Sequence, residues 1–124
     1  VLASFAPEFG LDRDTALKAA CGIGAGFARL GETCGAVAGA MMVIGLRYGH
    51  ARPEDAAKKE ETYEVVRQFI ARFVERHGTI VCRELIGCEI TTAAGLAGAQ
   101  EKGIFRNICT GYLRDAVELL ETMV

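Results

Sequence analysis

The stretch from Pro53 to Gly78, PEDAAKKEETYEVVRQFIARFVERHG, decides the fold class. Tyr63, Val66, Phe69, Ile70 and Phe73 recur at three- and four-residue spacing, while Lys58, Lys59, Glu60, Glu61, Glu64 and Arg67 fall on the other side. That period is helical, not the two-residue period of a strand. Pro53 stands at the predicted start, with Glu54 and Asp55 in the first turn, where a helix dipole favours negative charge. Gly78 is a natural stop.

The same pattern extends outward in both directions. Towards the C-terminus, Phe105, Ile108, Cys109, Tyr112, Leu113, Ala116, Val117 and Leu120 give an apolar seam for a last helix. A short helix is predicted over about 79–86, ending at Gly87, and residues 89–103 read equally as Ala-rich helix or Gly-rich loop. Towards the N-terminus, one helix is predicted over about 33–48. Another starts after Asp12 or Asp14, each a good N-cap, with Ala16, Leu17, Ala20, Cys21, Gly24 and Phe27 at helical spacing. Gly22, Gly24 and Gly26 weaken its second half, since each costs a helix about 1 kcal/mol relative to alanine. Val1–Phe9 reads as an apolar helix closed by Gly10. No sustained apolar–polar alternation marks a strand. The expected architecture is therefore all-α, a compact bundle of about five to six helices joined by short connections.

The chain has 124 residues, of which 51% are hydrophobic, enough for one domain with its own core. We read residues 1–124 as a single helical domain. Because the chain begins at Val1 inside an apolar helix, a truncated N-terminus is expected, with residues missing upstream. Fourteen basic and sixteen acidic residues are mixed along the chain, with a net charge of −2. This lacks the basic footprint of a nucleic-acid binder and the polybasic segment that seeks anionic lipid. The longest apolar run, Cys34 to Leu46, is short of the ~20 residues of a membrane span. No nucleic-acid partner and no direct membrane insertion are expected, and the location expected is the cytoplasm.

Five cysteines are many for a domain that can fold without them, and an odd number argues against a closed disulfide framework. In a cytoplasmic protein, clustered cysteines point to redox or metal chemistry. Cys34 follows Thr33, a candidate N-cap, which would place the thiol in the first turn of a helix. Unpaired backbone N–H groups there stabilise a thiolate and lower its pKa. Gly35 and Gly39 lie one turn apart on that helix, so another helix or a cofactor could approach closely. Cys82 and Cys88 form a C-x5-C pair around Gly87. On an unbroken helix they would be separated by about 9 Å of rise, too far for a disulfide; a stop at Gly87 would let the chain turn Cys88 back towards Cys82. Cys21 and Cys109 fall on apolar stripes and read as core, with Cys109 a reserve partner if the helices converge.

The remaining candidates are weaker. His50 and His77 each lie just past a helix end beside glycine, where a histidine can pair with helix carbonyls. Gly22-x-Gly24-x-Gly26 lacks the strand–loop–helix context of a phosphate loop. Met41 and Met42 read as core, not haem ligands.

The segment Gly31-Glu32-Thr33-Cys34-Gly35-Ala36-Val37-Ala38-Gly39-Ala40, continued by Met42 to Leu46 and Tyr48-Gly49, resembles the core of the redox-active family written C_GCAxxG_C_C. Leu2 to Asp12, Thr62 to Phe73, Cys82 to Cys88 and Cys109 to Leu119 are similar to further segments of that family, so the resemblance covers nearly the whole chain. It implies a cysteine-based redox-active protein, by thiol–disulfide exchange or electron transfer, with Cys34, Cys82 and Cys88 as three of four family cysteines. The first family cysteine would fall upstream of Val1, so that either it is missing from this chain or Cys109 or Cys21 stands in for it. Two other functions compete. Cys34, Cys82 and Cys88, with the family's upstream cysteine as fourth thiolate and Cys109 possible, would be ligands for zinc or an iron–sulfur cluster. Alternatively the chain is a non-catalytic helical module that associates with a membrane transporter or with itself as a homodimer. No redox partner protein is identifiable.

Overall fold

The computed structural model describes residues 1–124 and is all-helical. The helices are α1 (Leu2–Phe5), α2 (Arg13–Ala20), α3 (Gly24–Phe27), α4 (Gly35–Tyr48), α5 (Ala56–His77), α6 (Cys82–Ile86), α7 (Ala93–Glu101), α8 (Ile104–Asn107) and α9 (Cys109–Glu121). Single 3₁₀ turns, Ala6–Phe9 and Cys21–Ile23, follow α1 and α2. These segments outnumber the five to six helices expected, because two of the expected helices are broken, the ambiguous 89–103 stretch adds α7, and α3 is only a short turn with left-handed backbone at Ala25 and Gly26.

α4 is the axis of the bundle. Ala36 through Ala40, Val43 and Ile44 are all buried, so the helix is apolar on every side, as a helix wrapped by others must be. It packs against α1, α3, α5 and α9. Phe69 and Phe73 of α5 and Leu120 of α9 are fully buried against it, each side chain contributing about 1.5–3 kcal/mol by leaving water. No polar or charged residue is buried. Towards the N-terminus of α5 the predicted stripe leaves the core: Tyr63 is 49% exposed. A second, smaller core gathers Cys82, Ile86, Ile90, Ala99 and Ile104 under α6, α7 and α8.

Caps fix several boundaries. The Asp12 carboxylate accepts from the Thr15 amide at 3.0 Å and starts α2, and the Thr92 hydroxyl accepts from the Gly95 amide at 3.0 Å and starts α7. The ambiguous 89–103 segment is thus mostly helix. Gly10, Gly78 and Gly87 close their helices in the left-handed conformation. α5 begins at Ala56, so Pro53 to Asp55 form its lead-in turn and not its first turn. No helix is long and apolar enough to cross a membrane.

The largest departure lies between residues 21 and 33. The helix predicted to run on from Ala20 through Cys21 and Gly24 to Phe27 stops at Ala20. From Ala25 to Arg29 the chain makes a left-handed turn, with φ of 54° at Ala25, 66° at Gly26, 66° at Phe27, 52° at Ala28 and 69° at Arg29. Four of these five residues carry a Cβ, and each such residue costs roughly 1–2 kcal/mol in this conformation. Local hydrogen bonds close the turn: Glu32 N–H donates to Gly26 O at 2.9 Å and Leu30 N–H to Phe27 O at 3.0 Å. Beyond it, residues 31–34 pair antiparallel with residues 80–83 across a single bridge, Thr33 to Val81. Arg83 N–H donates to Gly31 O at 3.1 Å and Cys34 N–H to Ile80 O at 2.7 Å.

Candidate functional site: a cysteine-lined cavity

That short pairing builds the site. With Thr33 opposite Val81, Cys34 lies opposite Ile80 and Cys82 opposite Glu32. Residues one step either side of the bridge share a face, so Cys34 and Cys82 come to one side of the chain pair although 48 positions separate them in sequence. Thr33 is used by the bridge and does not cap α4. Cys34 itself occupies the N-cap, with extended backbone (φ −53°, ψ 130°).

Both thiols open onto a cavity of about 250 Å³. Cys109, the first residue of α9, lines it as well, together with Ile23, Leu85, Ile86, Phe105 and Leu113. Cys109 is half-buried and packs against the small core while lining the cavity. The apolar seam that suggested a core position is broken at Ile108, where α8 gives way to α9, and Ile108 is left 43% exposed. Cys88 does not line the cavity. It packs, half-buried, against the small core that contains Cys82, just beyond the left-handed stop at Gly87. Cys21 is not core: α2 ends before it, and it is exposed.

Glycines in and beside the cavity let other parts of the chain come close. A Cβ on Gly35 would meet Ile23 O at 2.9 Å, and one on Gly39 would meet the Val1 Cβ at 3.2 Å. The chain's own N-terminal segments therefore take the close approach that was open to another helix or a cofactor. A Cβ on Gly26 would fall 2.6 Å from the Cys82 Cβ. The left-handed turn is thereby pressed onto the cavity wall at Cys82.

Electrostatics run opposite to the sequence expectation for Cys34. Burial pushes its thiol up, and the Ala36 and Val37 backbone amides at the start of α4 pull down without reversing it. The helix N-terminus acts as predicted but loses to desolvation. Burial, then the neighbouring Cys34, Cys109 and Cys88, pushes Cys82 up to about 11. Cys109 is raised by burial, then by Cys34 and Cys88. Charge on Cys34, Cys109 or Cys88 thus opposes ionisation of Cys82, and charge on Cys34 or Cys88 opposes that of Cys109. At neutral pH the cavity holds protonated thiols.

Tyr112 lines the cavity. Its hydroxyl donates to Leu85 O at 2.7 Å, tying α9 to α6. Its ring meets His77 edge-on at 4.9 Å, and His77 Nε2 lies 2.8 Å from Asp115 Oδ2. His77 thus finds a carboxylate 38 residues away in sequence, which local spacing could not reveal. His50 Nδ1 sits 2.8 Å from Arg52 O, away from the thiols. Met41 and Met42 pack against the main core. No three His, Cys, Asp or Glu side chains stand in an arrangement that would hold a metal ion, so Cys34, Cys82 and Cys88 are not a ready ligand set as placed.

Fold and site together define a small all-helical protein with a thiol-lined cavity. The family model described as "Putative redox-active protein (C_GCAxxG_C_C)" matches residues 1–123, and the chain belongs to that family. Neither a curated protein nor a solved structure matches it.

Proposed function

We propose that the chain is a thiol–disulfide redox protein in which Cys34 and Cys82 form the working pair, with Cys109 as third thiol and Cys88 in reserve. The observation that carries this reading is the convergence of Cys34, Cys82 and Cys109 on one cavity from three separate helices. Cys34 and Cys82 also share one face of the pairing between residues 31–34 and 80–83, which favours exchange between them. Raised pKa values leave little thiolate in this set at neutral pH, so exchange is expected to quicken as the pH rises. Family membership supports redox chemistry in general and does not distinguish disulfide exchange from electron transfer.

The test is reversible oxidation of the reduced chain by diamide. Loss of two thiols, restored by dithiothreitol, is expected. If all five thiols survive a stoichiometric excess of diamide, or if the loss is irreversible, the reading fails.

A further inference from the structure

Deepening that redox reading, and resting on it, we propose that the cavity takes a small uncharged, apolar disulfide as its oxidising substrate, in preference to charged disulfides of the glutathione kind. The lining states the selectivity. Ile23, Leu85, Ile86, Phe105 and Leu113 surround the three thiols, and no lining side chain carries a formal charge. The lining hydroxyl, that of Tyr112, is already committed to Leu85 O. The cation nearest in sequence, Arg83, is turned onto the Glu32 carboxylate at 2.8 Å. An ionised substrate entering here would bring a charge with no partner, and burying an unpaired charge is strongly unfavourable. A neutral apolar one gains from leaving water. An apolar cavity of about 150 Å³ is enough for one benzene ring; this one, at about 250 Å³, accommodates a dialkyl disulfide with short chains.

The chemistry balances within the chain and the substrate. A cysteine thiolate of the cavity attacks one sulfur of R–S–S–R. The S–S bond breaks, a mixed disulfide forms, and the departing RS⁻ takes up a proton. A second cysteine thiolate then attacks the cysteine sulfur of the mixed disulfide, forming the protein disulfide and releasing the second RS⁻, which is protonated in turn. Two cysteine thiols are oxidised, one disulfide substrate is reduced to two RSH, and the two thiol protons end on the two products.

The experiment compares the reduced full chain with diethyl disulfide (neutral), cystamine (a dication), dithiodiglycolate (a dianion) and glutathione disulfide. The rate of loss of cavity thiols is divided by each reagent's rate with free 2-mercaptoethanol, which removes intrinsic reactivity. The expected result is a normalised rate for diethyl disulfide at least tenfold above those of the three charged reagents. Equal normalised rates, or faster reaction with any charged reagent, overturn the inference. If diamide closes the pair but diethyl disulfide does not, the inference falls and the redox reading stands. If diamide closes nothing, both fall. Leu113, which lines the cavity while remaining 41% exposed, gives a second readout. Leu113→Lys is expected to raise the normalised dithiodiglycolate rate at least fivefold and leave cystamine slow; no change in that ratio also overturns it.

Discussion

Gly26 and Cys82 are in contact through space that only glycine leaves open: a Cβ on Gly26 would lie 2.6 Å from the Cys82 Cβ and 2.6 Å from the Glu32 nitrogen. Gly26 also has φ of 66°. Gly26→Ala therefore meets both a steric and a conformational penalty, and the backbone atoms on one side cannot yield cheaply. A loss of about 2–4 kcal/mol is expected from urea unfolding. Gly22→Ala, with nothing within 4 Å of the new Cβ, is expected to stay within about 0.5 kcal/mol of the parent. Equal effects at the two positions would remove the close packing of the left-handed turn on Cys82.

The left-handed turn itself carries cost. Ala28 is exposed, has φ of 52°, and is one of the four non-glycine residues in that conformation. Ala28→Gly removes about 1–2 kcal/mol of strain and gives back part of it through the greater freedom of glycine in the unfolded chain. A net stabilisation of about 0.5–1 kcal/mol is expected in chemical denaturation. A destabilisation of that size would mean the turn is not left-handed at Ala28.

Thiol ionisation sets a pH dependence. In the unfolded chain cysteines lose their protons near their ordinary value of 9.0, whereas folded Cys82 holds its proton to about 11 and Cys34 and Cys109 are raised as well. Between those values the folded state binds more protons than the unfolded one, so stability falls as pH rises. The contribution is fully present below pH 9 and is lost as the pH passes from about 9 through about 11. The urea midpoint of the reduced chain should decline across that window, and Cys82→Ser should flatten the decline. A midpoint that rises with pH there would show depressed thiol pKa values.

Tyr112 joins α9 to α6 through its bond to Leu85 O. Tyr112→Phe keeps the ring against His77 and removes the hydroxyl, at an expected cost of about 0.5–1.5 kcal/mol. Loosening α6 against α9 should also speed alkylation of Cys82 by iodoacetamide severalfold at fixed pH. Exposed Cys21 serves as the internal standard, since its rate should not move. Unchanged Cys82 labelling would show that the hydroxyl does not hold the cavity closed.

Much of the scaffold could be read from residue spacing. The Asp12 cap, the Gly10, Gly78 and Gly87 stops and the Phe69 and Phe73 face of α5 are local signals, and the structure has them where they were expected. What spacing did not carry is the segment around the site. The glycines at 22, 24 and 26 signalled a weak helix, but the positive φ values fall mostly on Ala25, Phe27, Ala28 and Arg29, residue types with no left-handed preference. The bridge between Thr33 and Val81 is a pairing over 48 positions with no local pattern. The seam that suggests a core position for Cys109 is interrupted at Ile108, where one helix ends and the next begins. Cys34 stands at the start of α4 as expected, but as its N-cap, and its local sequence fits a buried thiol as well as a reactive one; burial decides its pKa.

The convergence of Cys34, Cys82 and Cys109 on one cavity is tested most directly by mapping the disulfide formed on mild oxidation, using peptide mass spectrometry of the diamide-treated chain. The prediction is a Cys34–Cys82 bond as the main product, shifting to a bond with Cys109 in the Cys34→Ser and Cys82→Ser variants and leaving Cys21 free throughout. A main product that contains Cys21, or single-serine variants in which no disulfide forms, would contradict it.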